Sequence, residues 1–275
     1  MKLYAVSDLH IDYPLNRKAL EVIPDYPDDW LILGGDICTA FDDFEYTLGL
    51  LANRFAQLIW VPGNHDLWSR IGGITERGEE KYQKLVSICR DLGVITPEDP
   101  YPLWQGEGGR HRIVPLFLLY DYSFRPDNIP AEDAVAWAEE SGVVCTDEYL
   151  LHPTPYSSRT AWCHARCRYS EQRLQSLSMD EPTILINHFP LREDVIRLVR
   201  IPRFSLWCGT KRSQRWHQRF GAAVVISGHL HIRGTLYRDG VRFEEVSLGY
   251  PRNWHPHLGI EHYFRRILPG PEFGV

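Results

Sequence analysis

Apolar runs of two kinds alternate along the chain. "KLYAVS" (2–7), "DWLILGG" (29–35) and "QLIWVPG" (57–63) are short and rich in β-branched and aromatic residues, and read as strands. Between them, "NRKALEVI" (16–23) and "DDFEYTLGLLANRF" (42–55) carry helical spacing. The order βαβαβ predicts parallel strands joined by crossover helices. Strands covered on both faces explain why "LIL" and "LIWV" are apolar without alternation. "ERGEEKYQKLVSICRDLG" (76–93) then predicts an amphipathic helix stopped by Gly93.

The pattern is less regular from about Thr96 to Met179, where prolines at 97, 100, 102, 126, 130, 153 and 155 mark loops. Within it "RIVPLFLLY" (112–120) predicts a strand, and 131–142 and 157–177 predict helices. Buried strands resume at "PTILIN" (182–187) and "AAVVIS" (222–227). "RGTLYRDGVRFEEVSL" (233–248) predicts a hairpin turning at Asp239-Gly240. The expectation is an α/β fold in one domain, 1–275, with 97–180 an insertion or cap within it.

Composition narrows the function classes. With 44% hydrophobic and 24% charged residues, the chain has the make-up of an ordinary globular protein. No apolar stretch has the ~20 residues of a membrane span, and the sequence begins with a strand rather than a leader, which points to the cytoplasm. Six cysteines suit reduced thiols; Cys163 and Cys167, with His164 between, lack a second half-site and read as packing. A net charge of −6 argues against general nucleic-acid binding.

Five polar clusters follow apolar strands: Asp8 and His10; Asp36; Asn64, His65 and Asp66; Asn187 and His188; His229 and His231. In open α/β sheets ligands bind beyond the carboxyl ends of the strands, so these side chains should meet on one rim. Aspartate, asparagine and histidine together, without Lys or Arg among them, pack poorly unless cations sit in the middle. Two carboxylates, one amide oxygen and four imidazoles (His10, His188, His229, His231) are too many for one ion and suit two, with one carboxylate bridging. Nitrogen and oxygen donors without thiolate favour manganese, iron or zinc over calcium or magnesium.

The motifs Asp8-Leu9-His10, Gly35-Asp36, Gly63-Asn64-His65-Asp66, His188 and Gly228-His229-Leu230-His231 closely resemble those of the calcineurin-like metallophosphoesterase family. The resemblance implies a four-layer αββα sandwich, two facing mixed sheets flanked by helices. It implies one metal on Asp8, His10 and His231, a second on Asn64, His188 and His229, and Asp36 bridging them. The expected activity is phosphoester hydrolysis by a metal-bridged hydroxide. His65, next to a ligand but not one itself, is the candidate general acid, with Asp66 expected to hold its other ring nitrogen.

The core chemistry alone leaves the substrate open among a phosphodiester, a nucleotide or nucleic acid, a small phosphomonoester and a phosphoprotein. A scaffold without activity would be expected to lose ligands. The stretch 192–219 carries Arg192, Arg197, Arg200, Arg203, Lys211, Arg212, Arg215 and Arg219 between two ligand-bearing segments. It reads either as a basic rim to the active-site mouth or as a solvated face. "FSLWCGT" (204–210) reads as core or as an apolar slot, and His255 and His257 as surface or packing. At finer grain, in "DDWLILGGD" (28–36), "IWVPGNHDLW" (59–68), "PLFLLYDYSF" (115–124), "INHFPL" (186–191), "FSLWCGT" and "DGVRFEEVSLGYPR" (239–252), the chain resembles a bacterial subgroup that includes an actinobacterial phosphopantetheinyl hydrolase. That likeness implies a phosphodiester substrate on acyl carrier protein, an acidic partner.

Overall fold

The computed structural model describes residues 1–69, 75–178 and 180–270, so Met179 of the 97–180 segment lies outside the described residues. Strands β1 (Leu3–Val6), β2 (Tyr26–Leu33) and β3 (Phe55–Trp60) run parallel, with α1 (Pro14–Glu21) and α2 (Phe41–Ala52) as crossovers. After β3 come α3 (Asn64–Leu67) and α4 (Glu79–Asp91). Strands β4 (Leu103–Trp104) and β5 (His111–Pro115) precede α5 (Ala134–Glu139), α6 (Asp147–Leu150) and α7 (Arg159–Gln175). The chain closes with β6 (Thr183–Ile186), α8 (Trp216–Arg219), β7 (Ala222–Ser227), β8 (Gly234–Arg238), β9 (Val241–Glu245) and β10 (Arg265–Leu268).

The strands form two mixed sheets, ordered β10-β1-β2-β3 and β4-β5-β6-β7-β9-β8. The interior pairs are parallel, and the antiparallel strands β10, β4 and β8 sit at sheet edges. The period-two alternation hidden in the apolar runs is resolved by burial on two sides. Leu3, Ala5, Ile32, Ile59, Ile113, Ile184, Ile186, Val224 and Ile226 form one apolar cluster, drawn from both sheets. Their neighbours Val6, Leu31, Leu33, Leu58, Trp60, Val114, Leu185 and Val225 join a second cluster with helix residues such as Phe44, Leu48, Leu85 and Trp162. The expected helix–sheet–sheet–helix layering follows directly. The hairpin turn is as expected: Asp239 and Gly240 both have positive φ, 53° and 76°.

Several expectations need adjustment. "RIVPLFLLY" is strand only through Pro115. Of the 97–180 segment, β4 and β5 belong to the six-stranded sheet, so the part that can overlie the site starts after Pro115. Strand β10, not anticipated, pairs antiparallel with β1 and supplies the fourth strand of the first sheet.

Candidate metal centre

Each predicted donor stands just past a strand. Asp8 and His10 follow β1, Asp36 follows β2, and Asn64 opens α3 after β3; His188 follows β6, and His229 and His231 follow β7. The first sheet thus brings two carboxylates, an imidazole and an amide, and the second brings three imidazoles. Backbone bonds from Asp8 N–H to the Gly35 carbonyl (2.8 Å) and from His10 N–H to the Asp36 carbonyl (3.1 Å) hold the first two loops together.

These loops are strained. Asp8, His10, Asp36, His229 and His231 all have φ between 43° and 72°. The left-handed conformation costs an L-residue roughly 1–2 kcal/mol, and such strain gathers where function fixes the backbone. Two glycines allow the close approach. A Cβ on Gly63 would collide with the Asp36 carboxylate, and one on Gly228 with Ser7 and the Asp8 carboxylate.

The donor atoms lie at the spacing of a coordination shell. Metal bonds of about 2.1 Å place adjacent ligands ~3.0–3.4 Å apart. Asp8 Oδ1 is 3.0 Å from His231 Nε2, and His10 Nε2 is 3.2 Å from His231 Nε2. Asn64 Oδ1 is 3.2 Å from His188 Nε2, which is 3.4 Å from Asp36 Oδ2. Asp8, His10 and His231, and separately Asp8, Asp36 and His188, present ligand atoms within 4.8 Å of one another. His229 stands beside His188, ring centroids 5.3 Å apart, and its Nε2 is buried without a hydrogen-bond partner. A buried, unpartnered nitrogen among imidazoles and carboxylates fits a cation ligand.

Surrounding groups choose which atom each donor presents. Ser7, Ser247 (2.8 Å) and the His229 N–H (3.0 Å) all donate to Asp8 Oδ2, leaving Oδ1 toward His231. Asp36 Oδ1 accepts from the His65 N–H at 2.8 Å, and Oδ2 faces His188. His188 Nδ1 is 2.9 Å from the Gly34 carbonyl, which leaves Nε2 for the centre. The Asn64 amide nitrogen donates to Asp147 (2.9 Å), so its oxygen points at His188.

Charge in the cluster is sharply partitioned. Burial, reinforced by His65, pushes the His10 imidazole down to about 3; burial and His188 do the same to His229. Burial would also lower His188, but Asp36 outweighs it and raises it to about 10. Burial opposes ionisation of Asp8 and Asp36 too, yet His231 and His188 respectively hold both below the ordinary carboxylate range. The centre therefore favours anionic carboxylates and gathers positive charge around them.

His65 faces the same cavity. Its Nε2 is 3.9 Å from Asp36 Oδ2, and its ring stacks on Trp68 with centroids 3.6 Å apart. The expected hold of Asp66 on that ring is not what the geometry offers. The Asp66 carboxylate, fully buried, accepts from the backbone N–H groups of Gly63 (3.0 Å), Asp36 (3.0 Å), Ile37 (2.8 Å) and Cys38 (3.3 Å). It ties the Asp36 loop to the Asn64 loop, because four nearby N–H donors outbid a single ring nitrogen. Asn187 is likewise bracing, accepting from the Leu118 N–H and donating to the Phe189 carbonyl.

Above the donors lies a cavity of about 420 Å³. Its walls include Tyr250, which sequence reading did not single out, and Phe204, from the "FSLWCGT" segment read as core or as an apolar slot. Tyr250 stacks on His10 (4.6 Å) and meets His231 edge-on (4.6 Å), and Phe204 stacks over His229 (5.8 Å). Asp147, from the irregular middle segment, carries no sequence signal that marks it.

The basic stretch, which reads either as a rim to the mouth or as a solvated face, lies only in part beside the cavity. From it, Leu198, Ile201 and Phe204 line the cavity. Arg192, Lys211, Arg212 and Arg215 line a different cleft of about 690 Å³, and Arg192, Arg203, Lys211 and Arg219 are paired with Asp194, Glu140, Asp127 and Glu171. "FSLWCGT" is mostly core, with Leu206, Trp207 and Cys208 fully buried.

Residues 1–233 match the family model described as Calcineurin-like phosphoesterase. The chain is 46% identical over 279 aligned residues to the [Acyl-carrier-protein] phosphodiesterase PptH of Mycobacterium tuberculosis, covering 98% of this chain and 84% of that protein. The crystal structure of the Phosphopantetheinyl Hydrolase (PptH) from Mycobacterium tuberculosis superposes with a TM-score of 0.94 at 45% identity, covering 100% of this chain and 98% of that one.

Proposed function

This chain belongs to the calcineurin-like phosphoesterase family, and from that premise we propose that it is a metal-dependent phosphodiesterase that releases phosphopantetheine from a serine of acyl carrier protein. The single observation that carries the chemistry is the convergence of Asp8, His10, Asp36, Asn64, His188 and His231 at coordination spacing, with the buried, unpartnered His229 Nε2 beside them. The substrate follows the likeness to the mycobacterial acyl-carrier-protein phosphodiesterase, which extends over nearly the whole chain.

In this reading Asp8, His10 and His231 would hold one divalent ion and Asn64, His188 and His229 a second, with Asp36 within reach of both sets. Manganese, iron or zinc suits this oxygen and nitrogen set. Bound divalent ions supply Lewis acidity for the phosphoryl oxygens and acidify water at neutral pH. His65 Nε2 gives its proton to the departing serine oxygen, and stacking on Trp68 fixes the ring for that transfer. Asp66 keeps the Asp36 and Asn64 loops in register. No helix among the described residues is long and apolar enough to cross a membrane, and the six cysteines are buried free thiols, which suits a cytoplasmic site of action.

The test is a screen of manganese-loaded protein against holo acyl carrier protein, a cyclic nucleotide and an aryl phosphomonoester. Mass spectrometry should detect 4′-phosphopantetheine and apo carrier. Turnover of the nucleotide alone would refute the assignment.

A further inference from the structure

The rim of the active-site cavity is aliphatic and open to water. Val144, Ile201 and Ile232 line the cavity, yet are 61%, 44% and 45% exposed. Val199, in the same segment as the cavity-lining Leu198, is 90% exposed. These side chains come from three separate parts of the chain and surround a centre built for phosphate. Phosphate does not account for them, since an anion is recognised by donors and cations. Exposed aliphatics gathered at a functional mouth mark a surface that another molecule covers.

Exposed arginines flank the patch. Arg197 and Arg200 bracket Leu198 and Val199 in sequence, Arg197 lines the adjoining pocket that shares Leu230 and Ile232 with the cavity, and Arg252 lines the cavity with its guanidinium over Tyr250 (5.2 Å). Among the described residues none of these three makes an ion pair with a carboxylate, unlike Arg192, Arg203 and Arg219. The net-acidic chain therefore keeps unpaired positive charge at this mouth.

Geometry demands a macromolecular contact here if the substrate is the one proposed above, on which this inference rests. The phosphorus of a serine phosphodiester is only two bonds from the serine Cβ. For it to reach donors at the floor of the cavity, the carrier's own surface must press against the rim. We propose that Val144, Val199, Ile201 and Ile232, fringed by Arg197, Arg200 and Arg252, form the docking surface for the acidic acyl carrier protein. The aliphatics cover apolar side chains around the modified serine, and the arginines meet carboxylates at the edge, where charge sets orientation and encounter rate.

The experiment compares Val199→Asp and the double variant Arg197→Glu/Arg200→Glu with the unaltered protein. The substrates are holo acyl carrier protein and bis(4-nitrophenyl) phosphate. Both variants should lose at least tenfold in kcat/KM on the carrier, mainly through KM, and keep their rate on the small diester. The double variant should also lose the decline in carrier turnover that added salt causes in the unaltered protein. Unchanged carrier turnover in both variants overturns the docking surface, as does an equal loss on the two substrates. A shift in oligomeric state by size-exclusion chromatography without loss on the carrier also overturns it, and reassigns the rim to self-association. If the unaltered protein cleaves the small diester but releases no phosphopantetheine, the proposed substrate fails, and this inference with it.

Discussion

The Asn64 amide donates to Asp147 at 2.9 Å across 83 positions of chain, and the same Asp147 oxygen accepts from the Trp68 indole at 2.6 Å. One carboxylate oxygen thus orients the proposed donor Asn64 and the ring on which His65 stacks. Asp147 is fully buried, and its other oxygen has no hydrogen-bond partner. Burial raises its pKa, opposed by the bonds from Trp68 and Asn64.

Asp147→Ala frees the Asn64 amide to turn its nitrogen toward His188. Loss of such a supporting contact typically weakens metal affinity ~10–100-fold. Manganese titration by calorimetry should show that loss, while Asp147→Asn, which keeps an acceptor oxygen, should recover most of it. Equal affinity in the alanine variant and the unaltered protein would show that Asn64 needs no orienting partner.

His65→Ala should retain bound metal by elemental analysis, because the proposed ligands are intact. Its loss should depend on the leaving group. Expulsion of a serine alkoxide needs a proton and should slow ~10²–10⁴-fold. Bis(4-nitrophenyl) phosphate releases a stable phenolate and should be affected far less. A uniform loss on both substrates would make His65 a structural residue.

Metal affinity should rise with pH. His188 keeps its proton up to about 10, because Asp36 outweighs the effect of burial, and His231 is also raised. A cation taking either nitrogen must displace that proton, which costs more as the solution becomes more acidic. Each displaced proton gives roughly a tenfold change in apparent affinity per pH unit. Calorimetric heats of manganese binding at pH 7 should therefore differ between PIPES and Tris, whose ionisation enthalpies differ. Identical heats would mean that no proton leaves.

The convergence of the seven proposed donors was legible because each breaks an apolar strand at its carboxyl end, and a strand end leaves a polar side chain little choice of direction. Their supports were not. Asp147 lies on the four-residue helix α6, too short for periodicity to reveal, and nothing in "CTDEY" tells a buried acid from an exposed one. The role of Asp66 was misjudged because adjacency to His65 suggested contact. In the fold, consecutive residues at the start of α3 point apart, His65 into the cavity and Asp66 onto the backbone. The two readings of the basic stretch, rim or solvated face, stay undivided in the sequence for a related reason. Charge counts do not reveal partners such as Asp127, Glu140 and Glu171, which are distant in sequence and fold against it.

The proton count around Ser247 yields a stability prediction away from the donors themselves. Its hydroxyl contacts both Asp8 Oδ2, at 2.8 Å, and Glu245 Oε1. One hydroxyl hydrogen cannot serve two carboxylates. If it goes to Asp8, Glu245 must supply a proton of its own. Burial, with the Asp8 charge adding to it, pushes the Glu245 carboxyl from 4.5 up to about 7. A carboxyl with a raised pKa in the folded state binds more protons folded than unfolded. Its contribution is fully present below pH 4.5 and is lost as pH rises through about 7. Glu245→Gln replaces the carboxyl proton with an amide N–H that donates to Ser247 at every pH. Urea unfolding should find this variant close to the unaltered protein at pH 5 and more stable at pH 8, by on the order of 3 kcal/mol at most. Parallel stability profiles from pH 5 to 8 would mean that Glu245 is already ionised in the fold and that the Ser247 hydrogen is directed to it instead of Asp8.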